Sequence, residues 1–212
     1  MTELYNLSDK NTSPERIAAE ALKDDGKLQA LLDGISPEAK EMQIRENSYK
    51  ALMILCAGHP QTLLPHWGYF VDLLRSDNGS SKYAAIHIIA TLVQAGDEGR
   101  FEKDFDVYYS LLDDESVMVA SHAAGASGKI ARAKPHLQSN ITRRFLDIDR
   151  SHFDESRKSL IKSYIIQAFG EYFKAAQDKA GIIAFVKRQL DCSSPKTRKM
   201  AREFLKKWGE AA

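Results

Sequence analysis

The stretch that decides the fold runs from Leu111 to Gly125 and reads LLDDESVMVASHAAG. The apolar pair Leu111-Leu112 closes one amphipathic segment, three acidic residues follow, and an alanine-rich segment begins after them. Acidic residues at the start of a helix face the positive end of its dipole, and small residues let neighbouring helices approach closely. The stretch therefore predicts the end of one helix, a short turn and the start of a second helix.

The same pattern recurs along the chain. The first residues of successive apolar pairs lie 42, 38, 34 and 44 positions apart, which is the period of two-helix solenoid repeats. The five occurrences begin at Leu31, Leu73, Leu111, Phe145 and, in degenerate form, Gln189. The spacing predicts about five helix pairs, near residues 14–58, 60–95, 100–133, 135–174 and 177–209.

Several residues predict where the helices begin and end. Ser13-Pro14-Glu15, Ser36-Pro37-Glu38 and Ser194-Pro195 each offer an N-cap and a proline at the first helical position. Gly34 stands where a helix end favours a left-handed residue. Since no break is as long as an interdomain linker, we expect a polar N-terminal segment, residues 1–13, and a single repeat domain, residues 14–209.

Two segments carry a resemblance to a known superfamily. Leu73–Asp77 leading to Ala84–Ile86, and Leu111–Val117 leading to Ala123-Ala124, are similar to HEAT and armadillo repeats, and the resemblance covers most of residues 24–209. It implies an all-α, right-handed superhelical solenoid of about five HEAT-like helix pairs, whose second helices line a concave side. The family usually has an arginine near the start of the second helix, where Lys82 and Met118 stand here.

Composition places the chain among ordinary soluble proteins. It has 212 residues, of which 43% are hydrophobic and 28% charged. It shows no apolar run of signal-peptide or membrane-spanning length, so we expect a cytoplasmic protein that does not enter a membrane. Cys56 and Cys192 are far apart and lack C-x-x-C spacing, which favours free thiols.

Charge is unevenly distributed although the net charge is only +1. Residues 1–128 hold 11 Lys+Arg and 20 Asp+Glu, whereas residues 129–212 hold 19 and 9. In a solenoid, sequence order is spatial order, so the halves predict an acidic end and a basic end. Such ends steer charged partners or order copies of the chain head to tail; solvated faces with an accidental bias are the other interpretation.

The sequence offers no positive case for an enzyme. It contains no G-x-S-x-G elbow and no H-E-x-x-H pair, and its six histidines lack metal-finger spacing. Gly125–Lys129 lacks the remaining glycine, the hydroxyl and the preceding strand of a phosphate loop. We expect Asp113-Asp114-Glu115 to cap a helix. No catalytic residue, metal or cofactor is predicted.

Helix phase and charge predict a binding surface instead. The second helices are expected to present a polar groove to an extended peptide or a helix, and α-helical spacing places a basic ridge in the last helix. The expected function is a non-enzymatic protein-binding scaffold whose partner has an acidic or helical segment. Central groove candidates are Lys82, His87, His122 and Lys129, and candidates on the basic side are Lys162, Arg198, Lys199 and Arg202.

Two other functions remain open at this stage. The first is a nucleic-acid-binding HEAT-like protein that resembles DNA-repair glycosylases. Those enzymes use an aspartate with tryptophan and arginine in the cleft, whereas Trp67 and Trp208 stand near opposite ends of this sequence without such a set. The second is a bilin-lyase-type HEAT protein, for which no motif is present. A near-neutral isoelectric point of about 7.8 does not favour nucleic acid.

Overall fold

The computed structural model describes residues 7–209, and their regular structure is entirely helical. Contacts divide the chain into two compact units, Met1–Asp104 and Phe105–Ala212. The first unit contains α1 (Pro14–Ala21), α2 (Asp25–Gly34), α3 (Met42–Gly58), α4 (Pro60–Leu63), α5 (Trp67–Arg75) and α6 (Gly79–Ala95). Then come α7 (Arg100–Ser110), in which the division falls, α8 (Val117–Ala133), α9 (Gln138–Leu146), α10 (Glu155–Tyr172), α11 (Lys179–Arg188) and α12 (Pro195–Trp208).

In the first unit, α3 and α6 lie side by side and carry the other helices. Helices α1 and α2 pack against α3, and α5 packs against α6. Burial of their apolar faces supplies the main driving force for this packing. Side chains that are fully buried at these contacts are Ile17, Leu31, Leu52, Phe70 and Ile86.

In the second unit, α10 is the central helix and packs against both α8 and α12. Helices α9 and α11 contact each other and cover α8 and α12 respectively. Three buried rings join these layers edge to face: Phe169 of α10 lies 5.5 Å from Phe145 and 5.7 Å from Phe185, centroid to centroid. Edge-to-face pairs of this kind fix the relative placement of the helices that carry them.

The packing confirms an all-α fold built from stacked helix pairs. Each apolar pair ends a first helix, a turn follows, and the second helices of neighbouring pairs lie against one another within each unit. The handedness of the superhelix and the single domain over residues 14–209 stay predictions. Of the polar segment 1–13, residues 1–6 lie outside the described part; the carbonyls of Leu7 and Asp9 accept hydrogen bonds from the side-chain amide of Asn47.

Two of the three predicted proline starts are confirmed. Ser13 accepts a hydrogen bond from the Arg16 amide at the start of α1, and Ser194 accepts one from the Thr197 amide at the start of α12. The start predicted at Ser36-Pro37-Glu38 is wrong, because those residues form a turn and α3 begins only at Met42. There the carbonyl of Pro37 accepts a hydrogen bond from Arg45, so tertiary contact with α3 holds the segment as a turn.

Gly34 is a glycine for a reason other than the one predicted. Its φ is not positive; among the described glycines only Gly96 and Gly99 adopt positive φ. Instead, Gly34 is the last residue of α2, and a Cβ at this position would collide with the Ser48 hydroxyl of α3. The residue therefore permits a close helix crossing.

The contact between α8 and α10 also depends on glycines at the helix crossing. A Cβ at Gly125 would lie 3.0 Å from Cδ1 of Tyr164, and one at Gly128 would lie 3.0 Å from the Cα of Ala168. Both distances are shorter than ordinary van der Waals contact. The missing side chains let the two helices approach closely over most of a helical turn.

We expect Gly128→Val to lower the free energy of unfolding by about 1–3 kcal/mol, because its methyl groups would meet the backbone of α10. The matched control is Gly170→Ala in α10, where a Cβ meets no atom within 4 Å. Helix propensity predicts that this control gains about 0.5–1 kcal/mol. Urea unfolding followed by circular dichroism measures both changes, and a Gly128→Val variant as stable as the wild type would contradict the close-contact interpretation.

Candidate functional site

Helix α8 exposes one narrow stripe of side chains. The stripe residues recur at intervals of four and three, as expected for one face of an α-helix, while almost all residues between them are buried. Partly or fully exposed positions on this stripe are Met118, His122, Gly125, Lys129 and Arg132. Two of the predicted groove residues, His122 and Lys129, stand on this stripe.

A row of three side chains crosses the second unit from this stripe. The ring of His122 on α8 lies 5.7 Å from the ring of Tyr164 on α10, and the Lys196 ammonium of α12 lies 4.1 Å from the centre of the same tyrosine ring. A lysine over an aromatic face at this distance makes a cation–π contact. Three neighbouring second helices thus each contribute one side chain to a continuous row.

The environment of His122 favours its neutral form. Partial burial lowers the pKa of His122, and the nearby charge of Lys196 lowers it further. Since the folded chain disfavours the protonated imidazole, the stability that the neutral form contributes is present above pH 6.5 and is lost as the pH falls toward the lowered pKa. Near neutral pH the row offers one cation and two uncharged rings.

On α10 the side chain that joins this row is Tyr164, whereas the sequence predicted Lys162 as the binding residue of that helix. The Lys162 side chain is 8% exposed, and its ammonium pairs with the carboxylate of Asp149. Its ammonium is therefore engaged with a half-exposed carboxylate. The exposed face of α10 runs instead through Leu160, Tyr164 and Gln167.

The three candidates on α12 differ in what they contact. Arg198 donates hydrogen bonds to the carbonyls of Cys192 and Ser193, at 2.6 and 2.9 Å, and so holds the turn that precedes α12. Lys199 is exposed, 3.9 Å from Glu203. Arg202 is exposed on the same helix.

Some cations of this surface have no carboxylate partner. Within residues 7–209, Lys129, Lys196 and Arg202 form no ion pair. Other cations of the unit are paired, as Arg144 is with Asp106. On the second helices of this unit the cations without a carboxylate partner thus include Lys129 of α8 and Lys196 and Arg202 of α12, while Arg143 of α9 and Lys187 of α11 are comparable cations on first helices.

The first unit has its own group of aromatic side chains, on α3 and α6. Tyr83 lies 5.3 Å from Tyr49 and 4.7 Å from His87, between ring centroids. His87, one of the predicted groove residues, is thus part of an aromatic group, and Lys82 stands partly exposed on the same helix. Sequence reasoning missed both tyrosines, although each shares a helical face with a predicted or exposed polar residue.

A pocket of about 360 Å³ adjoins this aromatic group. Its lining is mostly apolar and comes from the starts of α3 and α6 and the turn before α3. The lining residues are Ile35, Met42, Arg45, Glu46, Tyr49, Lys50, Ser80, Tyr83 and Ala84.

Two further clefts, of mixed polar and apolar lining, lie at the helix ends of the second unit. One, of about 550 Å³, includes the buried Lys162 and its partner Asp149. The other, of about 570 Å³, is lined by Thr142, Arg143 and Asp147, among others.

The motifs weighed for catalysis form no site, and Asp113-Asp114-Glu115 does not cap α8 as predicted, because the N-cap of that helix is Ser116 and its first turn holds no acidic residue. Gly125–Lys129 lies inside α8, so it forms no phosphate loop. Asp113 accepts hydrogen bonds from the backbone and the ring of His152, which lowers the pKa of Asp113. No cluster of three metal-ligating side chains occurs in the described part of the chain.

Both cysteines are free, as predicted, and burial raises the pKa of the Cys56 thiol to about 12. Between residues 7 and 209, no helix combines the length and apolar character needed to cross a lipid bilayer.

Comparison with known proteins gives one structural likeness. No protein-family model and no curated protein matches this chain. Among solved structures, the chain is similar to a designed armadillo repeat protein, YIII(Dq)4CqI, with 16% sequence identity and a TM-score of 0.49 over 94% of this chain and 95% of that one. The helix packing described above is what identifies the fold.

We expect Lys196→Met to raise the pKa of His122 while leaving it below its ordinary value of 6.5, because burial, the larger cause of the shift, remains. The matched control is Lys199→Met, which removes an exposed cation from the same helix. A titration of the histidine ring protons by NMR measures both variants. An equal rise in both, or none in Lys196→Met, would show that Lys196 does not act on His122 in solution.

Proposed function

We propose that this chain is a non-enzymatic protein-binding module, and that the second-helix face of its second unit binds an acidic segment of a partner protein. The observation that supports this most directly is the row formed by His122, Tyr164 and Lys196. It runs across three helices, so a partner that lies along it contacts three repeats at once. Repeat proteins commonly use stacked second helices in this way.

The chemistry of the face favours a peptide. Tyrosine and histidine supply apolar area together with polar atoms, and aromatic residues are enriched at protein interfaces. Leu160 and Met118, 48% exposed, add apolar area beside them. The face therefore combines rings, aliphatic side chains and unpaired cations, which suits an acidic segment that also carries apolar residues.

Charge supplies the selectivity of the proposed interaction. Lys129, Lys196 and Arg202 offer positive charge that no described carboxylate neutralises. Exposed charges contribute little to stability, but they raise association rates and exclude partners of the same sign. We therefore expect an acidic partner to bind faster at low salt than at high salt.

Nucleic acid is the alternative that the same cations allow, and the salt dependence of binding separates the two. For a DNA duplex, the logarithm of the binding constant falls with the logarithm of the salt concentration, with a slope of about 0.9 per contacted phosphate. A peptide held partly by apolar contacts loses less affinity as salt is added. Self-association through acidic and basic halves, the cytoplasmic location and Lys162 as a binding residue stay predictions.

The test is a charge reversal with a matched control. We expect Lys129→Glu, Lys196→Glu and Arg202→Glu, combined in one variant, to weaken binding of a fluorescent peptide of alternating glutamate and leucine on the order of tenfold or more. The control reverses three exposed cations on the first helices, Lys103→Glu, Arg143→Glu and Lys187→Glu, and changes the net charge equally. Fluorescence anisotropy at low and physiological salt measures both variants against the peptide and against a DNA duplex.

Loss in the first variant with retention in the control supports the proposed face. Equal loss in both would show that net charge alone attracts the peptide, and would overturn the proposal. Tighter binding of DNA than of the peptide, with the steep salt slope, would replace the proposal with the nucleic-acid alternative.

A further inference from the structure

The pocket between α3 and α6 in the first unit combines apolar walls with Arg45 and with the ion pair of Lys50 and Glu46. The side chains of Ile35 and Ala84 are 2% and 3% exposed, and the rings of Tyr49 and Tyr83 stand beside them. At its edge Met42 is 82% exposed, an unusual position for a large apolar side chain. The pocket therefore offers apolar surface at its base and at its mouth.

Two cations line this pocket, Arg45 and Lys50. One guanidinium nitrogen donates to the hydroxyl of Ser81 and the other to the carbonyl of Pro37, both at 3.2 Å. In the described chain Arg45 pairs with no carboxylate, whereas its neighbour Lys50 pairs with Glu46 at 2.6 Å. A guanidinium has five N–H donors, so the fixed Arg45 retains donors and its full charge for an incoming carboxylate.

The size and shape of the pocket favour one side chain of a peptide. Its volume of about 360 Å³ is at the lower end of the range for ligand pockets, about 300–1,000 Å³. The tyrosine rings are 5.3 Å apart, which leaves no room for a cation between them.

The pocket is also continuous with further partly exposed surface on both helices. Along α3 the next partly exposed residue after Tyr49 and Lys50 is Met53, and along α6 His87 and Thr91 follow Tyr83. A bound chain can therefore continue along the helices beyond the pocket. This favours an internal segment of a partner over a chain terminus.

We propose that this pocket binds an internal peptide segment in which a bulky apolar residue stands next to an acidic residue. The apolar side chain fills the space against Tyr49 and Tyr83, and the acidic side chain accepts hydrogen bonds from Arg45. The proposal rests on the proposed function in that the ligand is a segment of a partner protein, but it uses a different unit and different residues. The pocket adds a sequence preference that the row of His122, Tyr164 and Lys196 does not supply.

The test uses the methionine methyl groups of the full chain as reporters. Of its five methionines, Met42 lines the pocket and Met118 lies beside His122 on α8. The probes are two capped peptides, acetyl-Gly-Ser-Leu-Asp-Ser-Gly-amide and its Asn counterpart. We expect the Met42 signal of protein labelled with ¹³C at the methionine methyl groups to shift with both peptides, and the Asp peptide to bind about fivefold more tightly.

Variants of Arg45 isolate the role of charge. Arg45→Gln should abolish the difference between the two peptides, and Arg45→Lys should retain part of it, since it keeps the charge but loses the planar set of donors. Circular dichroism and the other methionine signals show whether each variant folds. The unmodified protein tests the proposal even if Arg45→Gln unfolds, because the comparison between the two peptides needs no variant.

The possible results separate this site from the basic row. A Met42 shift with preference for the Asp peptide supports the pocket, whether or not Met118 responds. A shift at Met118 alone overturns the pocket and leaves the proposed function intact. Absence of any Met42 shift up to saturation of Met118, or equal affinity for both peptides, also overturns the pocket.

Discussion

The distance between α8 and α10 is set by side chains that are missing. Gly125 and Gly128 let α10 approach until Tyr164 and Ala168 lie against α8. Once that approach is made, the phenylalanine rings beneath it meet edge to face, and the helix phase of α10 is fixed. The row of His122, Tyr164 and Lys196 is a consequence, because a wider spacing would separate the imidazole from the tyrosine ring.

The helices could be predicted because their signals are local. Apolar pairs, acidic turns and the caps at Ser13 and Ser194 act within a few residues of themselves. The wrong start at Ser36 and the wrong reason for Gly34 have a common cause, since α3 acts on both from a distance in sequence. The residues that α10 exposes could not be predicted, because the helices packed on both sides of it bury most of its surface, including Lys162.

The net charge of each half does not show which charges are available for binding; the partner of each charged side chain does. Residues 105–212 contain 19 Lys+Arg and 13 Asp+Glu, but several of those cations are engaged with neighbours. Arg144, Arg157 and Lys162 have carboxylate partners, and Arg198 bonds to backbone carbonyls. The reverse holds in residues 1–104, where a net excess of acid coexists with the unneutralised Arg45. A sequence count cannot separate engaged from available charge, since that depends on packing.

The row of His122, Tyr164 and Lys196 also has a direction. Its members follow in the order imidazole, phenol and ammonium from α8 to α12, and the lowered pKa of His122 keeps the first of them uncharged near neutral pH. A strand of protein laid across the three helices is itself directional, since its N–H and C=O groups and its side chains change order when it is turned round. The two orientations of a bound peptide are therefore not equivalent, and an asymmetric peptide should bind in only one of them.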